Sequence, residues 1–562
     1  MSVSSNQDNS QGSSPGLDYD EVLDTATEQF RENFRENSGP TVMGVESETP
    51  IVDEDGVMPQ APGYQDVISE GLWESIEGEL EENVDGYGQE FRFELDEVKE
   101  DGHGEKRPVE LSLEGEEGLV DTPTTDWDLG GQLENDSGAM EVGRNGEFGT
   151  LLDILTSFKS GAAKYLAENK DLGFAEQGLT RQFRNPEEVP EEAVGRGEWE
   201  DKSREDAREF AEEAGDLFTS VKYYVDYVRT IFGLQVLENM FGGSTQLTSG
   251  LWSDNGELDV DRKVGEEMPY RVVLEGAFDT LTSNVSAQGE DRHTNVNEWY
   301  WGRTHEQHVT TREDVDENPR DRMGTPWEMI QQVQESEDSL EGMVDHYMSQ
   351  HNMVWISPPD EEYVEIEGEP EEYDHEEYKL LAVDPEGPKT PKEFIEDGEV
   401  SFSKIVSDED GNQKTVKGTI NLSDMDEEEA RQYHMENLAG AHLPGIHHDV
   451  RPKFDIGAFE FRNSRQNYGS EPSVALAKAA LMPHGDKIVE TLESYGIDPS
   501  DPETVPDYGN DEFWRDVFED LYDEEVMETA EEMAPGYAEE MAEYVEAQLD
   551  PEQSYDQKAV AE

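Results

Sequence analysis

Carboxylates recur at strand spacing in this chain of 562 residues. In TVMGVESETPIVD, residues 41–53, Glu46 and Glu48 stand two apart. Two carboxylates on one strand face repel each other unless a cation or a donor sits between them. A metal ion meets that need; a solvated strand face in an acidic protein is the alternative. In GQLENDSGAMEVG, residues 131–143, the turn signal Asn135-Asp136-Ser137-Gly138 separates Glu134 from Glu141, and a bend lets both reach one site. In FGGSTQLTSGLW, residues 241–252, Gln246 and Thr248 share a strand face. In HHDVRPKFDIGAFEFRNSR, residues 447–465, a period of two puts Ala458, Glu460 and Arg462 on one face and Gly457, Phe459 and Phe461 on the other. The apolar side can pack. The charged side is left for a cavity or for solvent, as on an edge strand. Two further arginines, Arg292 and Arg303, flank Trp299, Tyr300 and Trp301, an arrangement suited to orienting an anionic group beside a planar one. His305 and His308, without an HExxH pattern, read as a surface pair.

These residues need strands to align them and helices to back the strands. Residues 1–16 are rich in Ser, Gln, Asn and Gly and lack an apolar period. Val22, Ala26 and Phe30 then form a helical stripe that ends at Ser38-Gly39-Pro40. Leu151, Ile154, Leu155, Phe158, Ala162, Tyr165 and Leu166 mark an amphipathic helix over 150–169. Helical patterns recur over 472–495 and 511–549, acidic on their outer faces. The domain reading is an N-terminal tail, disordered or short-helical, over 1–38; a catalytic domain over 39–485; and an acidic helical segment over 486–562. Surface insertions are expected near 185–213 and 358–424, the second with a hairpin around Asp410-Gly411.

Asp and Glu number 137 against 41 Lys and Arg, a formal net charge of −96. Phosphate-backbone affinity comes from clustered Lys and Arg, so nucleic acid is excluded as an expected partner. High charge with low hydrophobicity usually signals disorder, yet 9 Trp, 20 Phe and 21 Tyr sit in patterned segments, which argues for a folded core. Self-repulsion of this size is screened over about 3 Å in 1 M salt. A salt-rich cytoplasm, as in an extreme halophile, is the setting the composition fits. Cysteine is absent, which removes disulfides, thiolate metal sites and thiol nucleophiles together. No apolar run of membrane-spanning length and no signal-peptide pattern occurs, so a cytoplasmic protein without a membrane partner is expected.

In order, Gly44-Val45-Glu46-Ser47-Glu48, Leu133-Glu134, Met140-Glu141, Ser244-Thr245-Gln246-Leu247, the arginine-bearing aromatic stretch up to Arg303, and Val450-Arg451-Pro452-Lys453 before Phe459-Glu460-Phe461-Arg462 resemble glutamate-cysteine ligases and related carboxylate-amine ligases. The plant and proteobacterial branch is the most similar, through Thr-Val-Gln-Val, Val-Arg-Leu-Lys and Glu-Met-Arg motifs. The resemblance covers about Thr41 to Pro483. It implies an α+β fold like that of glutamine synthetase, with a curved antiparallel sheet forming a funnel and helices packed behind it. It implies that Glu46, Glu48, Glu134, Glu141, Gln246 and Glu460 hold Mg2+, with Mn2+ as a substitute, on the phosphates of ATP. Arg462 would meet the transferring phosphoryl group, and Arg451, Arg292 and Arg303 would contact a substrate carboxylate or the nucleotide.

The substrates implied are glutamate and an amine, cysteine by default because halophiles commonly use γ-glutamylcysteine as their small thiol. Arg462-Asn463-Ser464-Arg465 departs from the family's Arg-Gly-Ala-Asp-like continuation, which leaves the acceptor open. A peptide- or protein-modifying amidoligase and a catalytically inactive interaction protein are the alternative functions. The charge balance makes its own prediction. The urea unfolding midpoint should rise steeply between dilute buffer and molar KCl, and a midpoint indifferent to KCl would refute the halophilic reading.

Overall fold

The computed structural model describes residues 17–37, 42–52, 70–84, 91–100, 106–115, 132–136, 140–141, 147–174, 244–249, 260–282, 326–350, 353, 355–367, 381–383, 389–407, 413–439, 450–453, 458–465, 471–506 and 510–549. The architecture is mixed α+β, with every strand pairing antiparallel.

The largest sheet uses strands from distant parts of the chain: β1 (Val42–Val52), β4 (Gln132–Asp136), β5 (Met140–Glu141), β6 (Gly173–Phe174), β7 (Ser244–Ser249), β13 (Val450–Lys453) and β14 (Ala458–Arg465). Its order is β13-β14-β7-β1-β4, and β5 and β6 also pair with β1. The strand pattern read from residues 458–462 holds, since Phe459 and Phe461 are fully buried. Met43 and Val45 of β1, which share that face by register, are also fully buried, and the small residues Gly44 and Ala458 of the other face are buried as well. A two-stranded ribbon pairs β2 (Phe91–Glu100) with β3 (Lys106–Gly115).

Helix α1 (Tyr19–Asn37) lies against the packed face of the large sheet. Its stripe of Val22, Ala26 and Phe30 is fully buried, and the Phe30 ring meets Phe459 edge-on at 5.3 Å between centroids. The expected N-terminal tail is therefore part of the core from Tyr19 onward, because its apolar stripe has β14 to cover. Helices α2 (Glu70–Asn83) and α3 (Glu147–Asn169) follow. They build a smaller core from Leu72, Trp73, Ile76, Ile154 and Phe158, closed by Ile51 of β1. Helix α4 (Met268–Thr282) follows one helical turn, Val260–Arg262, and a π-helical turn, Lys263–Glu267. Then come α5 (Pro326–Glu335) and α6 (Ser339–Gln350).

Residues 355–421 form a second sheet, in the order β8-β10-β11-β12-β9. It comprises β8 (Trp355–Ile356), β9 (Val364–Ile366), β10 (Leu381–Val383), β11 (Glu399–Ser407) and β12 (Gln413–Asn421). Strands β11 and β12 pair antiparallel down to Ser407 opposite Gln413, and Asp410-Gly411 itself lies outside the described residues. The segment is not confined to the surface: Leu381, Val400, Phe402 and Ile420 are fully buried in the same core as Phe459. Burying alternate apolar residues on a strand outweighs the acidic composition of its connecting loops. Helix α7 (Pro391–Asp397) enters this sheet through a capping box between Thr390 and Glu393, and Gly398 ends it at φ 67, a conformation that favours glycine. The other expected insertion, near 185–213, lies outside the described residues.

Helix α8 (Glu427–Ala439) precedes a C-terminal group of α9 (Glu471–Leu481), α10 (Gly485–Ser494), α11 (Asp511–Leu521), α12 (Glu524–Met533) and α13 (Ala538–Leu549). This group is not a separate acidic segment beyond 486. Trp514 and Phe518 of α11 are buried in the main core, and Phe518 meets Phe278 of α4 edge-on at 5.0 Å. Among the described residues no helix is long and apolar enough to cross a membrane. Removing the Phe30 ring should expose how far the sheet depends on α1. Phe30→Ala should lower the unfolding free energy by about 3–5 kcal/mol, read as a lower urea midpoint in molar KCl.

Candidate functional site

Strand register brings the separated residues together. Directly paired residues of an antiparallel sheet lie on the same face, with Cα atoms about 5 Å apart. Glu46 pairs with Gln246 of β7 on one side and with Asp136 of β4 on the other. Glu48 pairs likewise with Ser244 and with Glu134. Gly44 pairs with Thr248, Thr248 with Glu460, and Glu460 with Arg451 of β13. Val42, on the same face by alternation, pairs with Glu141 of β5.

The pairing of β14 with β7 contains a bulge. Phe461 pairs with Leu247 and Ser464 with Thr245, so Arg462 and Asn463 together stand opposite Gln246 alone. Beyond the bulge, Arg465 pairs with Ser244. The face therefore carries three cross-strand rows: Arg451, Glu460, Thr248 and Gly44; Arg462 with Asn463, then Gln246, Glu46 and Asp136; and Arg465, Ser244, Glu48 and Glu134. Neighbouring rows are two residues apart, about 7 Å along a strand. Glu46 lies roughly 12 Å from Glu460, two strand spacings across and one row along. Glu141 stands four residues from Glu46 along the β1 direction, roughly 14 Å away. The arginines of the face lie on β13 and β14, together with Glu460, and the remaining carboxylates lie on β1, β4 and β5.

For these face residues the description covers backbone and register; their side chains lie outside it. Among the described residues no group of three or more His, Asp or Glu could hold a metal ion. Arg292, Arg303, His305 and His308 lie outside the described residues altogether. Asp136, Ser244 and Arg465 join the face through register alone. Asp136 is read locally as part of a turn, and only its pairing with Glu46 marks it as a site residue.

The donor chemistry fits a hard cation. Carboxylate and amide oxygens suit Mg2+ or Mn2+, which share their coordination with phosphate oxygens. Guanidinium groups on the adjoining strands suit phosphate or carboxylate oxygens.

Behind β14 the core contains charge. Lys478 of α9 is buried, donates from Nζ to the Phe461 carbonyl oxygen at 3.0 Å, and lies 2.6 Å from Glu275 Oε2. The second contact is an ion pair by distance, without hydrogen-bond alignment. Arg271, one helical turn before Glu275, sits 5.9 Å from the Phe461 ring centroid and donates to the Met482 carbonyl at 2.9 Å. Burial pulls the Arg271 pKa down, and the carboxylates of Glu267 and Glu275 oppose that shift. Glu267 is paired with Lys263 at 2.6 Å, and its carboxylate lies so close to Gly485 that a Cβ there would force the carboxylate to shift. A separate cavity of about 470 Å³ lies among the C-terminal helices, lined by Phe518, Tyr522, Met527 and Met541. It carries none of the paired face residues.

No protein-family model matches the chain, and no curated protein matches it. The rows make a prediction that needs no substrate. Glu46→Gln should weaken Mn2+ binding in the presence of ATP by roughly 10- to 100-fold in molar KCl. Glu365→Gln, at an exposed position on β9, should leave it unchanged, as followed by Mn2+ electron paramagnetic resonance.

Proposed function

We propose that this chain is an ATP-dependent carboxylate-amine ligase of the glutamate-cysteine ligase kind, joining the γ-carboxylate of glutamate to an amine. The observation that carries the reading is the three-row face. Residues from four distant stretches of sequence share one side of one sheet, the arginines beside Glu460 on β13 and β14 and the other carboxylates on β1 and β4. A solvated strand face has no need of that convergence. The reading implies a funnel-forming sheet of the glutamine-synthetase type, and the packing of helices behind Phe459 and Phe461 supports it.

In this reading Glu46, Glu48, Glu134, Glu141, Gln246 and Glu460 hold Mg2+ ions, and Asp136 joins them. The ions, when bound, neutralise charge on the ATP phosphates during phosphoryl transfer. Arg462 and Arg465 approach from the neighbouring strand, where a guanidinium can follow the transferring phosphoryl group as its bond to ADP lengthens. A glutamate γ-carboxylate oxygen attacks the terminal phosphorus, giving an acyl phosphate and ADP. The acceptor amine then attacks the acyl carbon, forming the amide, releasing phosphate and giving up a proton. Arg451, paired with Glu460, would orient a substrate carboxylate. A route through an enzyme thioester is closed, since the chain has no cysteine. Mg2+ and ATP are therefore the expected cofactor and co-substrate, and cysteine is the default acceptor.

The experiment is phosphate release in molar KCl with Mg2+, ATP and glutamate against a panel of amines. Release that depends on both glutamate and an amine is expected, greatest with cysteine. Glu460→Gln should reduce kcat by roughly 100-fold or more while circular dichroism stays unchanged. Release that ignores glutamate, or an undiminished Glu460→Gln variant, would overturn the reading.

A further inference from the structure

A fully buried lysine needs a reason in a protein with so few basic residues. Taking an ammonium out of water is costly unless it is paired and hydrogen-bonded. Lys478 belongs to an alternating series, Lys263, Glu267, Arg271, Glu275 and Lys478, whose first four members recur every four residues along one helical stretch. Lys263 pairs with Glu267, the carboxylates of Glu267 and Glu275 act on Arg271, and Glu275 pairs with Lys478. The series starts at the partly exposed Lys263 and ends inside the core. Its last contact is the Lys478 ammonium on the carbonyl oxygen of Phe461.

Phe461 is the last residue of β14 in register before the bulge, and Arg462 follows it directly. A strand carbonyl at a bulge can lose its ladder partner, and an unsatisfied buried carbonyl is destabilising. Lys478 supplies a charged donor there, and Arg271 lies over the ring of the same residue. Two cations from different helices thus converge on the residue that sets where the irregular part of β14 begins. Tyr522 fixes the helix carrying Lys478, donating to the Ala477 carbonyl at 2.7 Å.

We infer that Lys478, held by Glu275, is a positioning residue that fixes the β14 bulge and so places Arg462 on the catalytic face. Its link to catalysis rests on the ligase reading above; its hold on the bulge does not. Lys478→Met alone removes the ammonium while keeping the Glu275 carboxylate in the core, which is expected to destabilise the fold. The pair-neutral Lys478→Met/Glu275→Gln removes both charges at similar volume and is the informative variant.

Hydrogen exchange read by mass spectrometry in molar KCl should be faster by roughly tenfold or more over residues 458–465 of the double variant, with β1 and β4 unchanged. In the phosphate-release assay its kcat should fall by roughly 10- to 100-fold, with KM for ATP changed far less. Unchanged exchange over 458–465 would overturn the positioning role. Faster exchange with wild-type kcat would overturn the link to Arg462. An inactive wild-type protein would instead refute the ligase reading, while the exchange comparison still decides the hold on the bulge. If the double variant does not fold, wild-type exchange decides: 458–465 should be protected as strongly as β1, and loop-like exchange there would refute the inference.

Discussion

The register of β1 against its two neighbours is the constraint from which the rest follows. A strand's side chains alternate, so a slip of one residue would turn Glu46 and Glu48 inward and Met43 and Val45 outward. Burying two carboxylates in an apolar core and exposing two large apolar groups would cost several kcal/mol, which fixes the register strongly. Both edges of β1 are paired, with β7 on one and β4 on the other. One choice of register thereby sets which residues of three chain segments share a face.

The packed face is what makes that choice. Met43, Val45, Phe459 and Phe461 are fully buried, and Phe30 of α1 covers Phe459. The buried ions add a different constraint. Hydrophobic contact is tolerant of small shifts, whereas the contact from Lys478 to the Phe461 carbonyl specifies a distance and a direction. A molecule with a net charge of −96 thus places two of its scarce cations, Arg271 and Lys478, directly behind the strand that bears Glu460 and Arg462.

Much of this was legible in sequence wherever the physics is local. The alternation in β14, the stripe of α1 and the helix around Leu151 to Leu166 follow from periods of two and of three to four. Other elements were hidden by the acidic composition. Leu72, Trp73, Ile76 and Leu80 have helical spacing, yet six glutamates share α2 with them and mask the stripe. In β2 the charged residues mask the alternation in the same way. Residues 358–424 read as a surface insertion because the segment is dense in acidic, Gly and Pro residues, among which buried positions such as Val400, Phe402 and Ile420 are dispersed. The site was half legible. Glu46, Glu48 and Glu460 are visible as carboxylates on strands, and Thr248 shares a strand face with Gln246, but Asp136, Ser244 and Arg465 become candidate site residues only through pairings across about one to two hundred positions, which no local period encodes.

Disulfide trapping reads the register most directly, and the absence of native cysteine leaves no competing thiol. Glu48 pairs with Ser244 and with Glu134, and cross-strand partners about 4.5–5.5 Å apart are within disulfide reach. The variants Glu48→Cys/Ser244→Cys and Glu48→Cys/Glu134→Cys should cross-link under mild oxidation in molar KCl, at least one of them rapidly, while Ser47→Cys/Ser244→Cys should not. Rapid cross-linking of the Ser47 pair, with neither Glu48 pair forming a bond, would place the carboxylates on the other face and contradict the account.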